Sequence, residues 1–283
     1  MNLPAAVAAR IEIALRSPIA SAERLGGGQI AAVWRVGLQD GRAVVVKSGH
    51  ELALEAWMLQ YLKRHSRVPV PEVYLADDDL LAMEFVANDG RLTAEAESHL
   101  GEIVAGLHAI QGERFGFERD TLIGGLPQPN PPSADWPAFF RDHRLLMMGR
   151  AALAAGMLPQ RLMTRLDALC GRLGRWIGND AAPALIHGDL WAGNMLGRGP
   201  RITGLIDPAL YFADPEIELA FMTLFGSVGE RFFSSYGERR TMRPGFFEER
   251  RDLYNLYPLL VHVRLFGGAY VAQVDRTLAR YGF

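Results

Sequence analysis

The sequence predicts an α+β chain in two lobes. A small β-rich lobe covers residues 1–87, and a larger, mainly helical lobe covers residues 88–283. Three observations carry this reading. Val-, Ile- and aromatic-rich runs bounded by turn residues are concentrated before residue 87. Apolar residues at helical spacing dominate after it. A chain of 283 residues is also long enough for its core to divide in two.

The elements follow in order. Residues 4–16 form an amphipathic helix, because Arg10, Glu12 and Arg16 interrupt an otherwise apolar stretch. Gly26, Gly27 and Gly28 then make a backbone turn with no side chains, ahead of strand-like runs at 30–36 and 42–48. Gln39-Asp40-Gly41 separates these runs as a hairpin turn. Residues 51–65 place Leu52, Leu54, Ala56, Met58, Leu59 and Leu62 at roughly helical spacing. Short strands at 72–76 and 80–86 flank Asp77-Asp78-Asp79. That triplet lacks the other positions of a calcium loop and reads as a polar turn. The lobes join near 85–89, with a ligand cleft expected between them. Beyond the join, Thr93 is suited to cap a helix over 93–110, with Glu95 and Glu97 in its first turn. A proline-rich loop at 127–133 interrupts regular structure, and helices resume over 135–150 and 159–177. A compact insert follows: a strand at 184–186, a loop at 187–194 and a strand at 201–206. Helices then run to the end, with the basic stretch containing Arg231, Arg239, Arg240 and Arg243 read as a solvated helix face.

Composition narrows the class. The chain is 49% hydrophobic and 22% charged, which excludes intrinsic disorder. Thirty basic and 32 acidic residues leave a net charge of −2 with no Lys/Arg-rich run, so neither nucleic acid nor an anionic membrane is an expected partner. Cys170 is the single cysteine, so no intramolecular disulfide or cysteine-based zinc site can form. A cytoplasmic location is therefore expected. No signal-peptide core and no 18-residue apolar span is present.

The chemistry concentrates in His187-Gly188-Asp189-Leu190-Trp191-Ala192-Gly193-Asn194, followed by Asp207. Phosphoryl transfer from ATP needs a group that receives the acceptor hydroxyl's proton, and oxygen ligands for Mg²⁺ beside the phosphates. Asp189 and Asn194, in D-x4-N spacing, can supply the base and one metal ligand. Asp207, just past a hairpin over 195–206, can supply the second. The spacing matches a protein-kinase catalytic loop, with Gly188 in place of Arg. A glycine-rich turn, Lys47 on a later strand and Glu55 on the next helix occur in the order such an ATP site requires. Competing motifs fail on detail. Gly26-Gly-Gly28-Gln-Ile-Ala31 is followed by a strand where a dinucleotide fold needs a helix, Lys47 lacks the preceding Gly of a Walker loop, and Leu54 breaks H-E-x-x-H.

These motifs resemble the fructosamine kinase (ketosamine-3-kinase) family. The likeness rests on the 187–194 loop, Leu205-Ile-Asp-Pro-Ala-Leu-Tyr211 and Glu218-Leu-Ala-Phe-Met-Thr-Leu-Phe-Gly226. It extends to Phe115-Gly-Phe117, Ile123-Gly124, Pro127-Gln128, Asn130, Asp135-Trp136, Phe139-Phe140 and Arg144-Leu145. The resemblance implies a protein-kinase-like fold, ATP and Mg²⁺, and phosphorylation of the 3-hydroxyl of a ketosamine, either a small molecule or a glycated protein lysine. It further implies Asp189 as base and Asn194 and Asp207 as Mg²⁺ ligands. Lys47 would hold the α- and β-phosphates and pair with Glu55, and the backbone at Glu84-Phe85-Val86 would meet adenine. Trp191 is either a sugar platform or a packing residue, and His187 a brace of the loop. Gln29, Ala192, Pro215 and Glu218 depart from the family pattern. A monomer or weak homodimer is expected. An aminoglycoside or choline phosphotransferase, and a non-catalytic nucleotide-binding pseudokinase, are the alternatives.

Overall fold

The structure, a computed structural model, describes residues 3–26 and 31–283. Helix α1 (Ala5–Leu15) is followed by strands β1 (Ile19–Arg24), β2 (Ala32–Leu38) and β3 (Ala43–Ser48), then helix α2 (Leu52–His65). Strands β4 (Val73–Ala76) and β5 (Leu80–Glu84) complete an antiparallel sheet of order β1-β2-β3-β5-β4. The β2–β3 hairpin closes at the expected turn, with Gly41 at φ +89° and Asp40 Oδ1 accepting from the Arg42 N–H at 3.0 Å. Alternation along β3 sorts its residues between two layers. Val44 and Val46 pack with Ile11 and Leu15 of α1, each fully buried aliphatic contributing about 1.5–3 kcal/mol. Val45 faces instead the cluster built by Leu52, Ala56 and Leu59 of α2. The acidic triplet is a turn, and Arg10 of α1 bridges to Asp77 and Asp79 at 2.7 and 2.8 Å.

The chain continues through α3 (Ala94–His108), which Thr93 caps by accepting from the Ala96 N–H at 3.2 Å. Next come strands β6 (Thr121–Ile123) and β7 (Leu126–Gln128), and helices α4 (Trp136–Phe140), α5 (Met147–Ala154) and α6 (Gln160–Cys170). Residues Arg141–Leu146 join α4 to α5 as a π-helical turn, so the expected 135–150 helix is one run with a widened middle. Strands β8 (Ala184–Ile186), β9 (Met195–Arg198), β10 (Arg201–Leu205) and β11 (Tyr211–Ala213) follow, then α7 (Glu216–Leu224) and α8 (Glu230–Arg239). Helices α9 (Arg251–Tyr254), α10 (Leu256–Phe266) and α11 (Ala269–Arg280) end the chain. Cys170 is buried, and burial pushes its thiol up to about 12. No helix among the described residues is long and apolar enough to cross a membrane.

Two compact units result, and their boundary differs from the expected one. The first holds residues up to Ile103 together with Gly193–Pro208; the second holds Val104–Ala192 and Ala209–Phe283. The β9–β10 hairpin joins the first unit through hydrogen bonds that no local pattern announces. Asp89 N–H donates to Gly197 O (2.8 Å), Leu205 N–H to Pro69 O (2.8 Å) and Ile202 N–H to His99 Nδ1 (3.0 Å).

The second unit corrects two further expectations. Pro127 and Gln128 do not lie in a loop but in β7, paired with β6; a two-stranded hairpin leaves an outer side where proline's missing N–H costs nothing. Arg243 is not on a solvated helix face. It lies beyond α8 and pairs with buried Asp214 and Glu216, and Arg250 pairs with Glu216 at 2.6 Å. The core of this unit centres on Trp136, which stacks on Phe139 and donates from Nε1 to Tyr254 O–H at 2.9 Å. Arg144 is fully buried, with its guanidinium carbon 3.9 Å from the Tyr211 ring centre and bonds to Pro129 O and Asn130 Oδ1. That single cation satisfies the Pro129 carbonyl and the Asn130 side-chain oxygen of the proline-rich segment.

Candidate active site

In the first unit the site begins with strand periodicity. Lys47 lies two residues from Val45 on the side of β3 that faces α2, and its side chain is 9% exposed. Glu55 lies one turn into α2, three residues from Leu52 and four from Leu59, and so on the face turned toward the strand. Lys47 Nζ donates to Glu55 Oε1 at 2.7 Å and forms a second ion pair with Asp207. Burial opposes the ammonium charge, but the Glu55 and Asp207 carboxylates outweigh it and hold Lys47 above its ordinary range. Burial and the neighbouring Asp207 push the Glu55 carboxyl up, to about 7, against the pull of Lys47.

Asp207 stands at φ +54°, a left-handed conformation that disfavours side chains other than Asn or Asp. Its side chain remains 42% exposed. The hairpin brings buried Asn194 to the same end, because Ile206 N–H donates to Asn194 O at 3.1 Å. Lys47, Glu55 and Asp207 are therefore in direct contact, and Asn194 is joined to them through backbone. Of the remaining expected residues, β5 ends at Glu84, and Phe85 N–H donates to Ala43 O at 3.2 Å. The Phe85 ring carries the Arg35 guanidinium 4.4 Å above it, and Val86 packs near Gly204. Gly26 follows β1 in open space; Gly27 and Gly28 lie outside the described residues.

In the second unit, β8 leads into the loop that carries Asp189. Gly188 has φ +85°, and a Cβ there would stand 2.0 Å from Ala209 O. No other residue fits. The loop is sutured on both sides: Ala209 N–H donates to His187 O (2.7 Å), and Gly188 N–H donates to Glu218 Oε1 (2.7 Å). Ala209 is itself held by Gln128 Nε2, which donates to its carbonyl at 3.1 Å, with Tyr257 O–H donating to Gln128 Oε1. Fully buried His187 fits the expected brace. Trp191 is 41% exposed.

Sequence reasoning missed the group behind the loop. Glu218 Oε2 lies 2.9 Å from His108 Nε2, and His108 Nδ1 lies 3.0 Å from Tyr236 O–H. All three are buried. Burial pushes the Glu218 carboxyl up, but the hydrogen bond from His108 and its charge neighbours outweigh this and hold it below the usual range. The departure of Glu218 from the family pattern was the only signal available. Glu218→Ala is expected to cost about 3 kcal/mol, since it orphans the Gly188 N–H and a buried imidazole. It should also lower kcat at least about tenfold by loosening the loop. Glu218→Gln should be much milder, because Oε1 still accepts from Gly188 while His108 changes tautomer. Denaturant unfolding and steady-state kinetics check both, and an Ala variant as stable as the parent would refute the suture.

The family model for fructosamine kinases matches residues 5–281. A probable ketoamine kinase of Synechocystis is 36% identical over 220 residues, covering 75% of this chain and 71% of its own. The chloroplastic protein-ribulosamine 3-kinase of Oryza sativa is 35% identical over 233 residues, 78% of this chain and 64% of that one. Among crystal structures, a Thermobifida fusca chain provisionally named a fructosamine-3-kinase superposes with a TM-score of 0.86 at 34% identity, covering 97% and 98% of the two chains.

Proposed function

The chain belongs to the fructosamine kinase family, whose fold is protein-kinase-like and whose chemistry is phosphoryl transfer to a hydroxyl, and we propose that it is an ATP-dependent ketosamine 3-kinase. The observation that carries this reading is the buried Lys47 ammonium held between Glu55 and Asp207, in a chain that also bears D-x4-N. That intact charge set, together with Asp189, argues against a non-catalytic pseudokinase.

The residues fit the groups the reaction needs. A half-exposed carboxylate and an amide side chain at one end of a hairpin are hard oxygen donors, the kind Mg²⁺ takes while keeping water and phosphate in its other positions. Asp207 and Asn194 would hold the ion, which when bound neutralises charge on the phosphates. Lys47 would pair with the α- and β-phosphates, kept charged and in one rotamer by Glu55. The backbone at Gly26, Gly27 and Gly28 would lie against the phosphates, and that at Glu84, Phe85 and Val86 against the adenine. Asp189 would orient the acceptor 3-hydroxyl and take its proton as the new O–P bond forms and the bond to the leaving ADP oxygen breaks. Cytoplasmic turnover of small or protein-bound ketosamines, by a monomer or weak dimer, completes the proposal.

An ADP-release screen tests it, using ribulosamines, erythrulosamines, fructosamines and aminoglycosides, with NMR of the product. Ketosamine turnover with phosphate on the 3-oxygen is expected; turnover of aminoglycosides alone would overturn the substrate assignment. The exposed Trp191 indole can cover the apolar face of a sugar and donate its N–H to a hydroxyl. Trp191→Ala should therefore raise the ketosamine KM several-fold while the KM for ATP stays within about twofold. Equal changes in both would refute the platform.

A further inference from the structure

The segment after β5, where the sequence puts the join between lobes, is bound along its length to the β9–β10 hairpin, and both belong to the first unit. Asp89 clips the hairpin with backbone and side chain together. Its N–H donates to Gly197 O at 2.8 Å, and its Oδ2 accepts from the Gly199 N–H at 2.7 Å. Asn88 Oδ1 accepts from the Gly90 N–H at 3.0 Å, a local turn that presents Asp89 to the hairpin. Further along, Thr93 Oγ1 donates to Gly199 O at 3.2 Å.

The hairpin is shaped to receive this segment. The β9–β10 register shifts between Ile202 and Gly204, a kind of irregularity that re-aims a side chain. At the shift, the Thr203 hydroxyl stands 3.3 Å from Ala87 O and 3.1 Å from Leu196 O, able to donate to either. Two glycines leave room for close approach. A Cβ on Gly197 would stand 2.6 Å from Leu92 Cδ2, and one on Gly204 3.3 Å from Val86 Cγ1. A two-stranded hairpin is marginal on its own, so the place of its open end is set by what its turn and edges bond. That end carries Asn194, just before β9, and Asp207, just past β10. At the start of the segment, Phe85 N–H donates to Ala43 O of β3, the strand that carries Lys47.

We propose that Asp89 is a positioning residue for Mg·ATP, holding the hairpin to the segment after β5 so that the adenine-facing backbone and the two metal ligands keep one spacing. This rests on the ketosamine kinase reading. Adenine against Glu84, Phe85 and Val86, with phosphates at Lys47, places the nucleotide on β3 and β5, and the hairpin brings Asn194 and Asp207 to it. The Lys47–Asp207 ion pair pins the hairpin at one point, and the bonds of Ile202 and Leu205 hold β10. Strand β9, which runs from Asn194, meets the segment at Asp89. A hairpin released at its turn leaves the adenine and Lys47 contacts in place and shifts the metal ligands. The loss therefore falls on the part of nucleotide affinity that depends on Mg²⁺.

Calorimetric titration with ADP, once with Mg²⁺ and once with EDTA, tests this on the parent, Asp89→Ala and Asp89→Asn. The bond to Gly199 is charge-assisted but exposed, which sets the scale of its loss at roughly three- to tenfold. Asp89→Ala should bind ADP that much more weakly in Mg²⁺, yet within about twofold of the parent in EDTA. Its KM for a ketosamine should also stay within about twofold. Asp89→Asn keeps an accepting oxygen and should recover most of the loss. Should Asp89→Ala not fold, Thr203→Val should show the same split between Mg²⁺ and EDTA. Equal weakening in both, an unchanged Asp89→Ala, or an Asn variant no better than Ala overturns the positioning role and leaves the kinase reading intact. A parent protein that binds no ADP overturns that reading and this inference with it.

Discussion

Asp189→Asn is expected to lower kcat by roughly 10²–10⁴ with the KM for ATP within about twofold. The substitution keeps the size of the side chain and one accepting oxygen, so the acceptor hydroxyl can still be oriented. It removes the group able to receive a proton. The loop itself should be undisturbed. Its position is set by Gly188, whose conformation excludes a side chain, and by hydrogen bonds to His187 O and from the Gly188 N–H. None of these passes through the Asp189 carboxylate. The nucleotide-binding groups proposed above lie in the other unit, which predicts the split between kcat and the KM for ATP. Coupled assays with a ketosamine acceptor measure both constants. Activity within about threefold of the parent would remove Asp189 from the reaction.

What could be read from the sequence divides along sequence separation. Strands β2 to β5 and most helices announce themselves through periods of 2 and 3.6, because each buries one face against a neighbour. Strand β1 was missed because five of its six residues are exposed, so alternation leaves no hydrophobic trace. Strands β6, β7 and β11 are three residues long, too short for any period to register. For the candidate site, Lys47, Glu55, Asp189, Asn194 and Asp207 were proposed because phosphoryl transfer requires residue type, order and spacing together. The structure joins Lys47, Glu55 and Asp207 directly, although Lys47 and Asp207 are 160 residues apart. The supports were not legible. His108 meets Glu218 across 110 residues and Tyr236 across 128, and a Glu in the first turn of α7 looks like an ordinary dipole complement. Arg144 beside the proline-rich segment is likewise a matter of tertiary contact.

Asp207→Gly separates function from fold at the other end of the proposed reaction. Asp207 makes an ion pair with Lys47 from a side chain 42% exposed, so solvent screens the pair and its loss should cost no more than about 1 kcal/mol. Lys47 keeps Glu55 at 2.7 Å and is not left as a lone buried charge. Against that loss stands the backbone. At φ +54° a residue with a Cβ carries on the order of 1 kcal/mol of strain that glycine does not. The two effects nearly cancel, and the melting temperature of Asp207→Gly should stay within a few degrees of the parent. Asp207→Ala loses the pair and keeps the strain, and should melt lower than the Gly variant. Catalysis should not follow this order. Both variants lose the carboxylate proposed to hold Mg²⁺, and both should lose about 10²–10³ in kcat, the scale of one preorganised charge-stabilising group, while requiring more Mg²⁺ for half-maximal rate. Calorimetry paired with a Mg²⁺ titration of turnover reads the two effects independently. An active Asp207→Gly protein would dismiss the metal role, whereas a Gly variant melting more than about ten degrees lower would make Asp207 a structural residue that the fold retains despite its strain.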